Sequence, residues 1–96
     1  MVLRRLDEFS PFVGQEFEAV SQDGVSRLRL EEAIPVQYRG GQGRQDPFRL
    51  TFRGRPAGQV RQGVFLIRHP EFGEEEVFLV PNGVSLGEVI YDALFN

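Results

Sequence analysis

Apolar and polar residues alternate strictly over Phe48-Arg49-Leu50-Thr51-Phe52-Arg53. A period of two is the mark of a strand with one buried and one wet face. Gln15 to Ile34 carries the same alternation, broken by Asp23-Gly24. That dipeptide suits a two-residue type I′ turn, which needs positive φ at both centres. The turn predicts a β-hairpin over 15–34 with Gln22 facing Val25. Counting back, Ala19 faces Leu28 and Phe17 faces Leu30 on the apolar side, while Glu18 meets Arg29 and Val20 meets Arg27 on the other. Glu16 then falls opposite Glu31, a like-charge clash that a bulge near Glu31-Glu32 would relieve.

Two further runs, Val64 to Ile67 and Val77 to Val80, are apolar on both faces. Strands of that kind are covered on both sides or sit at an interface. His69-Pro70-Glu71-Phe72-Gly73 forms the corner between them, and Arg68 is expected beside Glu75 or Glu76 across the pair. Together with Phe48–Gly54 they read as a three-strand meander over 48–80. Pro35–Pro47, with three glycines, and Gly54–Gly63 read as loops, and Pro81-Asn82-Gly83 as a turn.

The two ends are less regular. Leu3, Leu6 and Phe9 stand three apart, which predicts a short helix within 1–11, stopped by Pro11 and Gly14. Leu86 to Phe95 fits either period. A helix would use Ser85 and Glu88 as a capping box; a strand would put Val89, Tyr91, Ala93 and Phe95 on one face. A strand over 88–95 is the expectation, because an open sheet edge needs a partner. It runs up to Asn96, which predicts a tied-down end. The expected architecture is a single mainly β domain spanning 1–96: a small antiparallel barrel or sandwich of about six strands with a short N-terminal helix.

Composition adds constraints on chemistry. Cysteine is absent, and His69 is the single histidine, so thiolate metal sites and histidine clusters are excluded. No window approaches the ~18 apolar residues of a membrane helix. The arginines near the N-terminus have no apolar run behind them, unlike a secretory signal. The expected location is the cytoplasm, or a particle assembled there. Net charge is −3, which argues against nucleic acid as partner.

All eleven cations are arginines. Six of them, Arg39, Arg44, Arg49, Arg53, Arg55 and Arg61, fall within 39–61, against Asp46 alone among acids. Residues 70–96 hold six acids and no base. Arginine's planar fork suits interfaces, and basic and acidic regions in one small chain suit head-to-tail association. These six arginines are the candidate interaction surface; the plainer reading pairs them internally with the acidic strand.

Other candidate chemistry is thin. His69 is the only possible acid–base group at neutral pH, and Ser10, Ser21, Ser26, Ser85 and Thr51 lie in no nucleophile motif. A structural corner is the favoured role for His69. Glu74-Glu75-Glu76 cannot converge on one cation from a strand, because alternate side chains leave opposite faces. Arg39-Gly40-Gly41-Gln42-Gly43-Arg44 lacks the lysine of a phosphate loop. No catalytic, cofactor-binding or metal-binding residue is expected.

Four pieces carry a resemblance: Phe12-Val13-Gly14-Gln15-Glu16-Phe17, Pro47 to Gly54, Gln62-Gly63 through His69-Pro70 to Phe78-Leu79-Val80-Pro81, and Tyr91-Asp92-Ala93-Leu94-Phe95-Asn96. In this order they resemble a family of small bacterial domains of unknown function that end in a Tyr-Glu-Ala-Val-Phe-Asn-like strand. Val60-Arg61 stands where the family pattern has Leu-Pro, and Asp92 where it has Glu. The resemblance implies no reaction. It implies the company of phage-tail-like proteins, and hence a structural role.

The expected function is a non-enzymatic structural or protein-interaction module, as a subunit or accessory of a phage-tail-like assembly. Its partner would be another protein or a second copy, with no nucleic acid, membrane, cofactor or small-molecule ligand. One rival is a β-barrel that binds a glycan or small molecule; another is a hydrolase-like enzyme using His69.

Overall fold

The computed structural model describes residues 4–36 and 47–95. Within them a one-turn helix α1 (Leu6–Phe9) runs into a 3-10 turn (Ser10–Phe12), followed by six strands: β1 (Glu16–Ser21), β2 (Gly24–Pro35), β3 (Phe48–Arg55), β4 (Gly63–His69), β5 (Gly73–Ser85) and β6 (Glu88–Phe95). The strands close into an antiparallel barrel in the order β1-β2-β3-β6-β5-β4. Closure settles barrel against sandwich and removes the free edges.

The order corrects one expectation. β3 and β4 are not neighbours, so residues 48–80 do not form a meander. β3 lies between β2 and β6, and β4 between β1 and β5. The reason is closure itself: β6 fills the gap beside β3, and β4 meets β1, so both strands are paired on each side. The terminal segment is a strand, with Val89, Tyr91 and Ala93 buried on one face and Phe95 half-buried on the same side.

Alternation is obeyed all round the barrel. Phe17 and Ala19, Leu28 and Leu30, Phe48, Leu50 and Phe52, Phe65 and Ile67, and Val77 and Leu79 point inward with the β6 residues. One end is plugged by Phe9, which is wholly buried and packs against Phe72 at 4.9 Å, Phe95 at 5.5 Å and Phe48 at 5.8 Å between ring centroids. The interior is filled with side chains, as a small barrel of this strand number requires. Gly54 continues the inward series of β3, where a Cβ would collide with the Arg27 carbonyl oxygen. Glycine is required there by close approach of two backbones.

The β1–β2 hairpin has the expected faces in a different register. Ser21 faces Gly24, so Phe17 faces Leu28, Ala19 faces Ser26 and Glu18 faces Arg27. The chain reverses at Gln22-Asp23. Gly24 alone takes positive φ (+124°), and neither Gln22 nor Asp23 does. Tertiary contacts hold Asp23: its carboxylate lies 3.1 Å from Arg61, and its backbone N–H donates to the Ser21 hydroxyl. The slip is two residues, so every side chain keeps its face. It also removes the expected clash, since Glu16 now faces Arg29.

A bulge does occur at Glu31, but against β3: Leu30 faces Phe52 and Glu32 faces Thr51. The extra residue changes the phase of β2, so that Ala33 takes up the inward position. Pro81-Asn82-Gly83 is no turn. β5 runs through it with an irregularity between Pro81 and Val84, and the reversal falls at Leu86-Gly87.

Candidate functional site

Four of the six candidate arginines, Arg49, Arg53, Arg55 and Arg61, lie among the described residues, and their surroundings differ. Arg39 and Arg44 lie outside the described residues. Arg53 donates to Glu88 at 2.8 Å and to the Ser85 carbonyl at 3.1 Å. Its position on β3 beside β6 makes this an internal brace of the β5–β6 hairpin. Arg61 is taken by Asp23. Arg55 is exposed, with its guanidinium close to Gly87. Arg49 sits half-buried on the barrel wall, and its Nε is buried without a hydrogen-bond partner among the described residues. The internal pairing anticipated for these arginines is real for Arg53 and Arg61, but their partners are Glu88 and Asp23, not the Glu74–Glu76 run.

Arg68 is likewise displaced from its expected partners. It faces Glu74 across β4–β5, yet its Nε donates to Glu18 on β1 at 2.7 Å. Glu75 instead receives Arg4, which also reaches Glu8, donates to the Phe72 and Glu74 carbonyls, and stacks over the Phe72 ring at 4.1 Å. Arg4 thereby straps the N-terminal segment to the corner between β4 and β5. Arg29 is bonded to Glu31 at 2.7 Å, and that bond raises its already high pKa.

His69 is fully engaged in the corner. Its Nδ1 accepts the backbone N–H groups of Glu71 (3.0 Å) and Phe72 (3.3 Å), which leaves Nε2 to donate to the Gln15 side-chain oxygen at 2.7 Å. The ring packs edge-on against Phe12 at 4.9 Å and tilted against Phe17 at 5.2 Å. A groove of about 530 Å³ passes beside it, lined by Glu16, Glu18, Arg27, Arg68 and Glu74. Four of the groove's charges are spent on one another, Arg27 with Glu16 and Arg68 with Glu18. Three of the candidate hydroxyls are engaged elsewhere: Ser26 accepts from Ala57, Ser10 donates to Leu6 and Thr51 to Asp92. Glu75 points to the opposite face from Glu74 and Glu76.

The outer wall carries the less ordinary feature. Val64 on β4 faces Phe78 on β5. Val80 faces Asp92 on β6, and Phe78 and Leu94 lie two residues on from that pair, on the same side of their strands. Leu94 faces Arg49 on β3, which faces Ile34 on β2. A row of outward apolar side chains thus crosses the barrel wall, with Val64, Phe78 and Leu94 58, 51 and 60% exposed and Ile34 at its far end. Isolated exposed apolar residues are ordinary; neighbours set side by side across strands are a candidate interaction surface. Arg49 lies within this row, between Leu94 and Ile34.

A family model described as a domain of unknown function matches residues 4–95. The chain belongs to the DUF6916 family. This fits the expectation of a domain of unknown function covering nearly the whole chain. No curated protein and no solved structure matches it significantly. For this DUF6916 chain the site therefore rests on its own geometry.

Two of the row's strands were legible in sequence, since Val64 to Ile67 and Val77 to Val80 are apolar on both faces. Leu94 and Ile34 were not, because nothing local says which strands stand next to each other. Arg4 gave no signal for its place at the corner either; its partners there are 68 to 71 positions away. Among the described residues no helix is long and apolar enough to cross a membrane.

Proposed function

We propose that this domain is a non-enzymatic protein-interaction module, a structural subunit or accessory of a phage-tail-like assembly put together in the cytoplasm. The observation that carries the reading is the outward apolar row Val64, Phe78 and Leu94 with Arg49 beside it. Leaving these side chains in water forgoes burial worth roughly 25 cal/mol per Å² of apolar surface. Two features speak against the rival readings. The barrel interior that would hold a ligand is filled by Phe17, Phe52, Phe65 and Tyr91. The histidine that would serve a hydrolase has both nitrogens committed to Gln15 and to the corner backbone.

A photo-crosslinking residue at position 78, in cells that make the chain naturally, tests the reading. A discrete protein adduct is expected at position 78 and not at Glu16, an exposed control position on β1, which the row does not cross. Equal labelling at both positions, or none at 78, would overturn it.

A further inference from the structure

We infer that the occupant of the apolar row is the β5–β6 hairpin tip of a second copy of this chain, in a head-to-tail contact. The inference rests on the docking reading above and names its partner.

The tip is the least comfortable place in the chain. Leu86 has φ of +55° and Gly87 of +79°, so the reversal takes left-handed backbone at both centres. Asn, Asp or Gly ordinarily occupies the first of these. Here a leucine stands there, 89% exposed, with Val84 70% exposed two residues before it. Backbone strain and apolar exposure coincide on one side chain. Such an outlier persists only where the surrounding structure holds it, and it marks a candidate functional position.

The tip is also braced. Arg53 bonds both Glu88 and the Ser85 carbonyl, one on each arm of the hairpin. Arg55 lies against Gly87. A knob held in place before it docks loses little freedom on docking.

The row and the tip cannot meet within one molecule. Phe78 and Leu86 stand on the same arm, eight residues apart, roughly 26 Å along an extended strand. Two apolar surfaces on different parts of one rigid barrel can therefore cover each other only between copies. One pair of opposite charges is available between them. Arg55, at the end of β3, lies beside the tip, and the exposed Glu76 flanks the row on β5, at the other end from Arg49; neither Arg55 nor Glu76 has an ion-pair partner among the described residues. Opposite charge at the two surfaces fixes register and speeds encounter. A contact between different surfaces leaves a free tip at one end of the chain of copies and a free row at the other, so it grows into a ring or a filament.

Sedimentation and native mass measurement of the full chain over a range of concentrations test this. The wild type is expected to pass beyond dimers. Leu86→Asn, which suits the left-handed turn, and Phe78→Glu, on the outer wall, should each stay folded and each weaken association by about tenfold or more. Mixed together, the two variants retain one intact contact, the tip of the Phe78→Glu copy on the row of the Leu86→Asn copy. They should form a 1:1 pair and nothing larger. Arg55→Glu should weaken association, and Glu76→Arg in the same chain should restore it.

A wild type that stays monomeric at every concentration overturns self-association. So does an oligomer whose two variants fail to pair when mixed. The mass of the position-78 adduct separates this failure from that of the docking reading: an adduct with a different protein sinks the second copy and keeps the docking surface, while no adduct sinks both.

Discussion

Arg68 and Glu18 stand directly opposite each other across the β1–β4 seam, and their side chains meet at 2.7 Å. Fifty positions separate them in the chain. This seam turns six strands into a closed barrel, yet its ion pair is half in solvent, with the two side chains 41 and 43% exposed. A pair so exposed contributes about 0.2–1 kcal/mol. A double-mutant cycle with Arg68→Ala and Glu18→Ala should return a coupling in that range, and it should shrink with added salt. Ile67→Ala, which empties a wholly buried position on the same seam, should cost about 2–5 kcal/mol in denaturant unfolding. A coupling above the cost of Ile67→Ala would show that charge, not burial, holds the seam.

His69→Ala should destabilise the barrel by about 1–3 kcal/mol, because two backbone N–H groups of the corner lose their acceptor. His69→Asn keeps an acceptor that can reach the same amides, and should recover at least half of the loss. Thermal melts of the three proteins decide this. An equal loss for both variants would place the role of His69 in its contacts with Phe12 and Phe17 instead.

Arg53 and Arg55 occupy the same strand two residues apart, yet they should behave differently. Arg53→Ala leaves Glu88 and the Ser85 carbonyl without their donor. It should cost about 1.5–3 kcal/mol, the scale of hydrogen bonds to charged groups. Arg55→Ala, at an exposed position, should stay within about 0.5 kcal/mol of the wild type. Urea midpoints measured side by side would show the difference.

Tyr91 gives the barrel an alkaline limit. Burial raises its phenol pKa above the ordinary value, because the anion is disfavoured in the core. Above the unfolded value of ~10, the unfolded chain releases this proton and the folded chain keeps it. The folded state then binds more protons, so stability falls as pH rises. The contribution is complete below pH ~10 and is lost as pH climbs through the raised folded value. Ultraviolet titration should show one tyrosine ionising late, and Tyr91→Phe should remove that step and flatten the alkaline decline in melting temperature. An unchanged decline in Tyr91→Phe would assign it to other groups.

Alternation along the chain determined which side of the wall each side chain takes. Phe48, Leu50 and Phe52 are inside, as are Val89, Tyr91 and Ala93, and the β1–β2 faces survived a two-residue slip because the side-chain period is two. The apolar doubling of 64–67 and 77–80 likewise marked the strands that carry the outer row. Neighbours were not legible. That β3 pairs with β6, that Arg68 answers Glu18 and that Leu94 joins Val64 and Phe78 depend on closure, where backbone hydrogen bonds would serve many partners equally well. Nor did the sequence reveal that Leu86 would sit in left-handed backbone. That was decided when the reversal moved past Pro81-Asn82-Gly83 and the tip was braced by Arg53. Side-chain period is a local property that residues two apart already express. Strand order, register and strain belong to the closed barrel, since only there do distant segments compete for the same space.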